Sequence, residues 1–236
     1  MAKRSEGDSC CLTLPLRLEK WQEDRLAKRL EIARQIYNSF VAAKLKDLQK
    51  LERTPEYREV QALIRKMGQE NRQNEKTYKE ARKKRDLLLK TAGFSEYGFK
   101  ATGDKKENEP EGIGPHYKQN DFNKSIGSAV AAHDLAARAW QAFEKKIYHG
   151  KRVHFKRRGE LNSVKGHMET HKAKDGTKKS GGVEIIYRGS YIDWRGLHLP
   201  LKLDPDNPYE TEMLKKHVKY VRILRRPGKN RDRWYA

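Results

Sequence analysis

The sequence predicts an α+β fold in which a set of helices is inserted into a small antiparallel β-barrel. Residues 12–18 alternate leucine with Thr13, Pro15 and Arg17, which marks a strand with one face on a core. A long run of helical periodicity follows, and short alternating strands return only after Arg158. A lone strand does not stand by itself, so the first one must pair with strands that come much later. The chain therefore divides into residues 1–18, a first barrel strand; residues 19–148, a helical insertion; and residues 149–236, the rest of the barrel.

In the opening strand Leu12, Leu14, Leu16 and Leu18 face the core, and Pro15, which cannot donate to a ladder, places it at an edge or a bulge. From Glu19 onward Leu26, Leu30, Ala33, Tyr37, Phe40 and Leu48 form a helical stripe, with Arg25, Lys28, Arg29 and Arg34 expected elsewhere on the surface. Thr54, Pro55 and Glu56 are a helix start: a cap oxygen, a proline where no donor is needed and an acid at the positive end of the dipole. Val60, Leu63, Ile64 and Met67 then face inward. Residues 69–85 are almost wholly polar, and Lys76, Lys79, Arg82, Lys83, Lys84 and Arg85 give this long helix a cationic middle. A duplex partner explains that bias better than a plain solvated face. Residues 92–117 lack a period and read as a connection with an aromatic anchor at Phe94, Tyr97 and Phe99.

Residues 125–158 join the two halves. Ile126, Val130, His133, Ala137, Trp140, Phe143 and Ile147 share one helical face, and Gly150 sits where a helix commonly ends. Beyond it Val153 and Phe155 are expected to point one way while Arg152, His154 and Lys156 point the other, giving a strand with five cations in residues 151–158. Residues 159–182 read as a polar, lysine-bearing loop. Residues 183–188, 191–194, 197–203, 218–226 and 233–235 read as strands, enough with the first for a small barrel. Nine cations against the single acid Asp232 fall within residues 215–233.

Charge narrows the partner class. Lysine and arginine number 53 against 32 aspartate and glutamate, a net charge of +21. Such a surplus suits nucleic acid, because each cation that meets a phosphate releases a condensed counterion. An anionic membrane is the competing polyanion, but no run approaches the ~18 apolar residues of a spanning helix and no signal-peptide pattern is visible. Cys10 and Cys11 are adjacent, with neither ordinary disulfide nor zinc-ligand spacing, so a reducing cytoplasmic setting is the expectation.

Several of these segments resemble TnpB, the transposon-encoded RNA-guided nuclease, and its descendants the compact type V CRISPR effectors. The carriers are Ala139, Trp140 and Phe143 near a helix end, then Gly150 and the Phe155 to Arg158 run, with His154 where the family commonly has proline. The run from Arg34 to Tyr37 and Asn38 is similar to the first recognition-lobe helix of that family, although Asn38 also reads as a surface or helix-pairing amide. Arg231 to Ala236 looks like the strand that precedes the RuvC-type nuclease domain. The resemblance covers the N-terminal half of a usual member and implies a helical recognition lobe inserted into a wedge-type, OB-like barrel. It implies a prokaryotic cytoplasmic protein that binds guide RNA and double-stranded target DNA, whose nuclease half is either cut away from this span, lost, or supplied in trans as a domain or subunit.

On that reading Lys76, Lys79, Arg82, Lys83, Lys118, Gln119, Asn120, Asn123, Lys124, Ser125 and Ser128 contact the target duplex. Helix N-termini attract phosphate and amide side chains read base edges, while helix capping is the alternative role for the Asn and Ser residues. Lys151, Arg152, His154, Lys156, Arg157, Arg158, Tyr187, Lys219, Arg222, Arg225 and Arg226 hold guide RNA or heteroduplex. Tyr187, Tyr191 and Trp194 are candidates for base stacking or for the barrel core. No cofactor is expected in this chain, and magnesium belongs only to the RuvC domain that the span lacks. Phosphate-loop, nucleophile-elbow and zinc-protease motifs are absent. Asp193, Asp204 and Asp206 are the carboxylates that suggest two-metal cleavage, and the alternation of Asp204, Asp206 and Asn207 with Pro205 and Pro208 indicates a turn. The rival function is a guide-independent RNA-binding or ribosome-associated basic protein.

Overall fold

The computed structural model describes residues 10–99, 126–127, 130–172, 178–183, 185–216 and 218–236. The fold is α+β. Helix α1 (Lys20–Arg53) opens with a capping box in which the Glu19 amide donates to Gln22 Oε1 at 2.8 Å, and it stops at Thr54, whose extended backbone suits the following proline. Its buried stripe holds Leu26, Leu30, Ala33, Tyr37, Phe40 and Leu48, as the spacing predicts. Arg29, expected on the surface, is buried instead, because its guanidinium reaches across to the sheet.

Helices α2 (Pro55–Gln69) and α3 (Lys76–Thr91) pack against each other as a pair. The polar stretch is thus not one long helix. It breaks between them at a turn where Asn71 adopts φ 56°, and Arg72 braces that turn through Glu70 at 2.9 Å and Glu75 at 2.6 Å. Few residues anchor the pair: Tyr57, Val60 and Met67 on α2, Ala81, Arg85 and Leu89 on α3. Phe94 and Phe99 are buried against Phe143, while Tyr97 is 82% exposed, so two of the three expected aromatics serve as the anchor.

A π-helical turn (Val130–Leu135) leads into α4 (Ala136–His149). The wider turn shifts the phase of the apolar face, so that Leu135, Ala136, Ala139 and Phe143 are buried while Ala137 and Trp140 are half-buried. Gly150 ends α4 at φ 66°, and the Lys151 amide returns to the Lys145 carbonyl at 3.2 Å.

Strands β1 (Ser163–Lys172), β2 (Lys178–Val183), β6 (Tyr220–Arg226) and β7 (Arg233–Tyr235) form one antiparallel sheet in the order β2-β1-β6-β7. Strands β3 (Ile185–Tyr187), β4 (Tyr191–Trp194) and β5 (Leu197–Pro200) form the other, and α5 (Pro208–Leu214) precedes β6. The stretch expected as a polar loop thus contains β1 and β2: a run that is polar at both alternating positions carries no period-two signal by which a hairpin could be recognised. Among the described residues the two sheets are not closed into a barrel.

The opening segment lies between them. Leu14 exchanges hydrogen bonds of 2.9 Å with Ala236, and Leu16 donates to the Trp234 carbonyl. On its other side the Lys202 amide donates to the Pro15 carbonyl at 2.8 Å and Arg17 to the Pro200 carbonyl at 2.9 Å. Proline therefore forfeits one ladder bond only, on the β5 side. Residues almost the whole chain apart in sequence share this seam, with the helices threaded between them.

Candidate nucleic-acid interface

Residues 151–157 carry the cations but are not a strand. Val153 is half-buried whereas Phe155 is 50% exposed, so the expected alternation fails. The reason is the neighbour: α1 lies alongside, and its side chains take the place of a second strand. Asn38 Oδ1 accepts from the Lys156 amide at 2.8 Å, Asn38 Nδ2 donates to the Lys156 carbonyl at 3.0 Å, and Arg34 Nη1 donates to the same oxygen at 2.7 Å. One carboxamide thus satisfies both backbone groups of Lys156, as a paired residue in a sheet does. Glu31 holds Arg34 in a bidentate pair, and that guanidinium keeps the Glu31 carboxyl below its ordinary range.

Pinned in this way, the segment forms one wall of a cleft of about 470 Å³. Arg138, Gln141 and Lys145 of α4 form another wall, with Lys151, Arg152, His154 and Lys156 across from them and Asn162 and Ser163 at the floor. Five lysines and arginines line it against one carboxylate, Glu160, which accepts from the Arg157 amide at 2.8 Å. Four expected RNA-binding residues are therefore brought together. Arg138, Gln141 and Lys145 were missed in the sequence, although they recur at helical spacing on the polar side of α4.

The wall is rigid because α4 is docked onto the edge of β1 where β2 no longer covers it. Asp134 Oδ2 accepts from the Lys165 amide at 2.8 Å, and Arg138 donates to the Ser163 carbonyl at 2.8 Å while pairing with Asp134 Oδ1 at 2.9 Å. Burial raises the pKa of the Asp134 carboxyl despite Arg138 and the Lys165 amide opposing it. Asp134 stands one residue on from His133 in the expected face, a displacement caused by the π turn.

A second cavity, about 470 Å³, lies beyond the Lys156 pin and is lined by Lys28, Glu31, Arg34, Arg158 and Arg225 among others. Arg225, expected to hold RNA, is committed within the fold: it donates to the Gly159 carbonyl at 2.8 Å and to Asn162 Oδ1 at 2.9 Å and lies 3.7 Å from Asp232. Arg222 and Arg226 are exposed on β6, Lys219 is exposed just before it, and Arg157 and Arg158 are exposed beyond the cleft. Tyr187 is half-buried on β3, where burial raises its phenol pKa, and Tyr191 is half-buried with its ring edge-on to His198.

Trp194 belongs to the core. Its indole donates to the Ile126 carbonyl at 3.1 Å, and Arg29 stacks over it at 4.9 Å while bonding the Trp194 and Arg195 carbonyls. Burial, with Arg25 and Arg195 nearby, pushes the Arg29 pKa down to about 10, so it stays charged at neutral pH.

Lys76, Lys79, Arg82 and Lys83 are exposed on α3, with Lys76 3.8 Å from Glu80 and Arg82 over the Tyr78 ring. Arg85 is instead buried over Tyr148 of α4 and paired with Asp86. Lys118, Gln119, Asn120, Asn123, Lys124, Ser125 and Ser128 lie outside the described residues. Asp193 accepts from the Gly196 amide and Asp204 from the Asp206 amide, both as turn acceptors. Among the described residues no group of three or more His, Cys, Asp or Glu converges as a metal site, and no helix is long and apolar enough to cross a membrane. No protein-family model, curated protein or solved structure matches this chain.

Proposed function

We propose that this chain is an RNA-guided DNA-binding module with the recognition-plus-wedge organisation of TnpB and the compact type V CRISPR effectors. The observation that carries the reading is the cationic cleft, in which Lys151, Arg152 and Lys156 face Arg138 and Lys145 from a segment fixed by Asn38 and Arg34. Fixed cations on two walls suit a sugar-phosphate backbone better than a small anion, which needs one donor cluster. The cleft takes guide RNA or the guide:target duplex, and Lys76, Lys79, Arg82 and Lys83 on α3 take the target DNA duplex. Base pairing then reads the target while protein reads a short flanking motif and backbone shape.

Support for the wedge assignment comes from the seam at residues 14–17, which hydrogen-bonds to both sheets while every helix from α1 to α4 is inserted behind it. We read the two sheets and this segment together as the wall of an OB-like barrel. Bond cleavage, with its magnesium, is assigned to a RuvC-type nuclease domain outside these residues, on the same polypeptide or another. The test is to purify the chain from cells that express it and sequence the RNA it retains. One defined structured species is expected. A heterogeneous mixture would sink the guide and leave a general RNA-binding or ribosome-associated protein.

A further inference from the structure

We propose that the outer face of the β1-β6-β7 sheet stacks an unpaired stretch of nucleic acid, at a site that adjoins the cleft at Ser163 but uses other cations; the inference rests on the nucleic-acid reading above. Along β6 Val221 and Ile223 are buried, which sends Tyr220, Arg222 and Arg226 to solvent. The register places Lys165 of β1 opposite Arg222, and on β7 Tyr235 opposite Leu224 and Arg233 opposite Arg226. The described part of this face, Ser163 and Lys165 of β1, Tyr220, Arg222, Leu224 and Arg226 of β6, and Arg233 and Tyr235 of β7, carries two tyrosines and four cations and no carboxylate.

Two features point to a ligand. Like charges directly opposite on neighbouring strands destabilise a sheet, and here both Lys165 with Arg222 and Arg226 with Arg233 are so placed. A polyanion relieves that repulsion. The second feature selects the kind of polyanion. Tyr220 is 40% exposed with the Lys165 ammonium 3.9 Å from its ring centroid, and the Arg226 guanidinium lies 4.6 Å over the Tyr235 ring. Four residues at ~3.3 Å and one strand spacing of ~4.8 Å put the two rings about 14 Å apart, with Arg222 between them. Aromatic platforms flanked by cations bind single strands, because an unpaired base offers a free π-face and a duplex does not. On binding, a base takes a tyrosine face and the displaced cation moves to the adjoining phosphate.

The full chain is titrated at fixed low salt with labelled oligouridylate, oligothymidylate and a mixed-sequence duplex, so that ribose and deoxyribose strands are compared directly. Tyr220→Leu and Tyr235→Leu are each expected to weaken single-strand binding about tenfold to hundredfold. Tyr220→Phe is expected to retain it, and duplex affinity is expected to stay at the wild-type level. Photocrosslinking of bromouridine-substituted strand to the wild-type chain, which needs no variant to fold, is expected to label Tyr220 or Tyr235. Crosslinks confined elsewhere, or wild-type single-strand affinity in both leucine variants, overturn the stacking site. If affinity is then lost in Lys151→Ala/Arg152→Ala, the cleft reading survives alone. A wild-type chain that binds none of the three ligands overturns both.

Discussion

Replacing Asn38 by alanine removes the two hydrogen bonds, 2.8 and 3.0 Å, that fix both backbone groups of Lys156. Each is worth about 0.5–1.5 kcal/mol net. The Lys156 carbonyl keeps Arg34 Nη1 at 2.7 Å, and the residue is only half-buried, so water reaches the freed amide. The expected loss of unfolding free energy is therefore about 1–2 kcal/mol, read from urea titration. Binding suffers by a different route. Releasing two or three residues of the segment means that a ligand must order them again at roughly 1 kcal/mol each. A duplex RNA affinity measured by anisotropy should fall about tenfold or more, since 1.4 kcal/mol is one decade. Every cation remains, so the dependence of affinity on salt should keep its slope. Asn38→Asp, which accepts from the amide but cannot donate to the carbonyl, should fall between. A variant that loses the stability but binds RNA as the wild type does would refute the claim that the pinned geometry of residues 151–156 makes the site.

Further predictions concern the cleft and its supports. Lys151→Ala/Arg152→Ala removes two phosphate partners and should flatten the log affinity against log salt slope by about 1.4–1.8, at about 0.7–0.9 per contact; an unchanged slope places the RNA elsewhere. Arg29→Met forfeits the bonds to the Trp194 and Arg195 carbonyls and the stacking on Trp194, and should cost about 2–4 kcal/mol in chemical denaturation. A cost below about 1 kcal/mol would mean that the guanidinium adds little to the α1–sheet contact. The Asp134 pKa is raised by folding, so its contribution is fully present below the ordinary carboxyl value and is lost as pH rises through the folded value. Glu31, lowered by Arg34, contributes with the opposite sign: present above its ordinary value and lost on acidification. Unfolding of Asp134→Asn and Glu31→Gln followed across acidic pH should change the wild type's pH slope in opposite directions.

The parts legible in the sequence were those where one strong period met one partner. Six residues of the α1 stripe could be named in advance because a helix of 34 residues repeats its signal many times. The need for a distant partner for residues 12–18 was legible because a strand with one apolar face has no local way to bury it. Failures trace to tertiary partners without a local mark. The polarity of residues 163–183 fits a hairpin as well as it fits a loop. Arg29 and Arg225 look like any surface arginine, yet carbonyls and an asparagine 63 or more residues away claim their donors. A single π turn then moved Asp134 into the interior and gave α4 its hold on β1, a change of one residue that no averaging over a helical window detects.

The placement of charge separates the cations that build the fold from those that the proposed function assigns to a ligand. Arg29, Arg34, Arg225 and Arg231 each reach a backbone carbonyl, so their charge is spent on joining elements far apart in sequence. The cations of the cleft and of the outer sheet face lie close to one another instead, and their mutual repulsion is a standing cost to the compact state. The cleft walls come from α1, α4 and residues 151–163, so only the folded chain presents them together, and a bound polyanion adds to stability with the logarithm of its concentration over Kd. At a hundredfold excess over Kd that addition is about 2.7 kcal/mol, a sizeable share of what a domain of this size has in all. Under the proposed function nucleic acid supplies the missing counter-charge, and the arginines fixed to carbonyls hold the elements that carry the remaining cations.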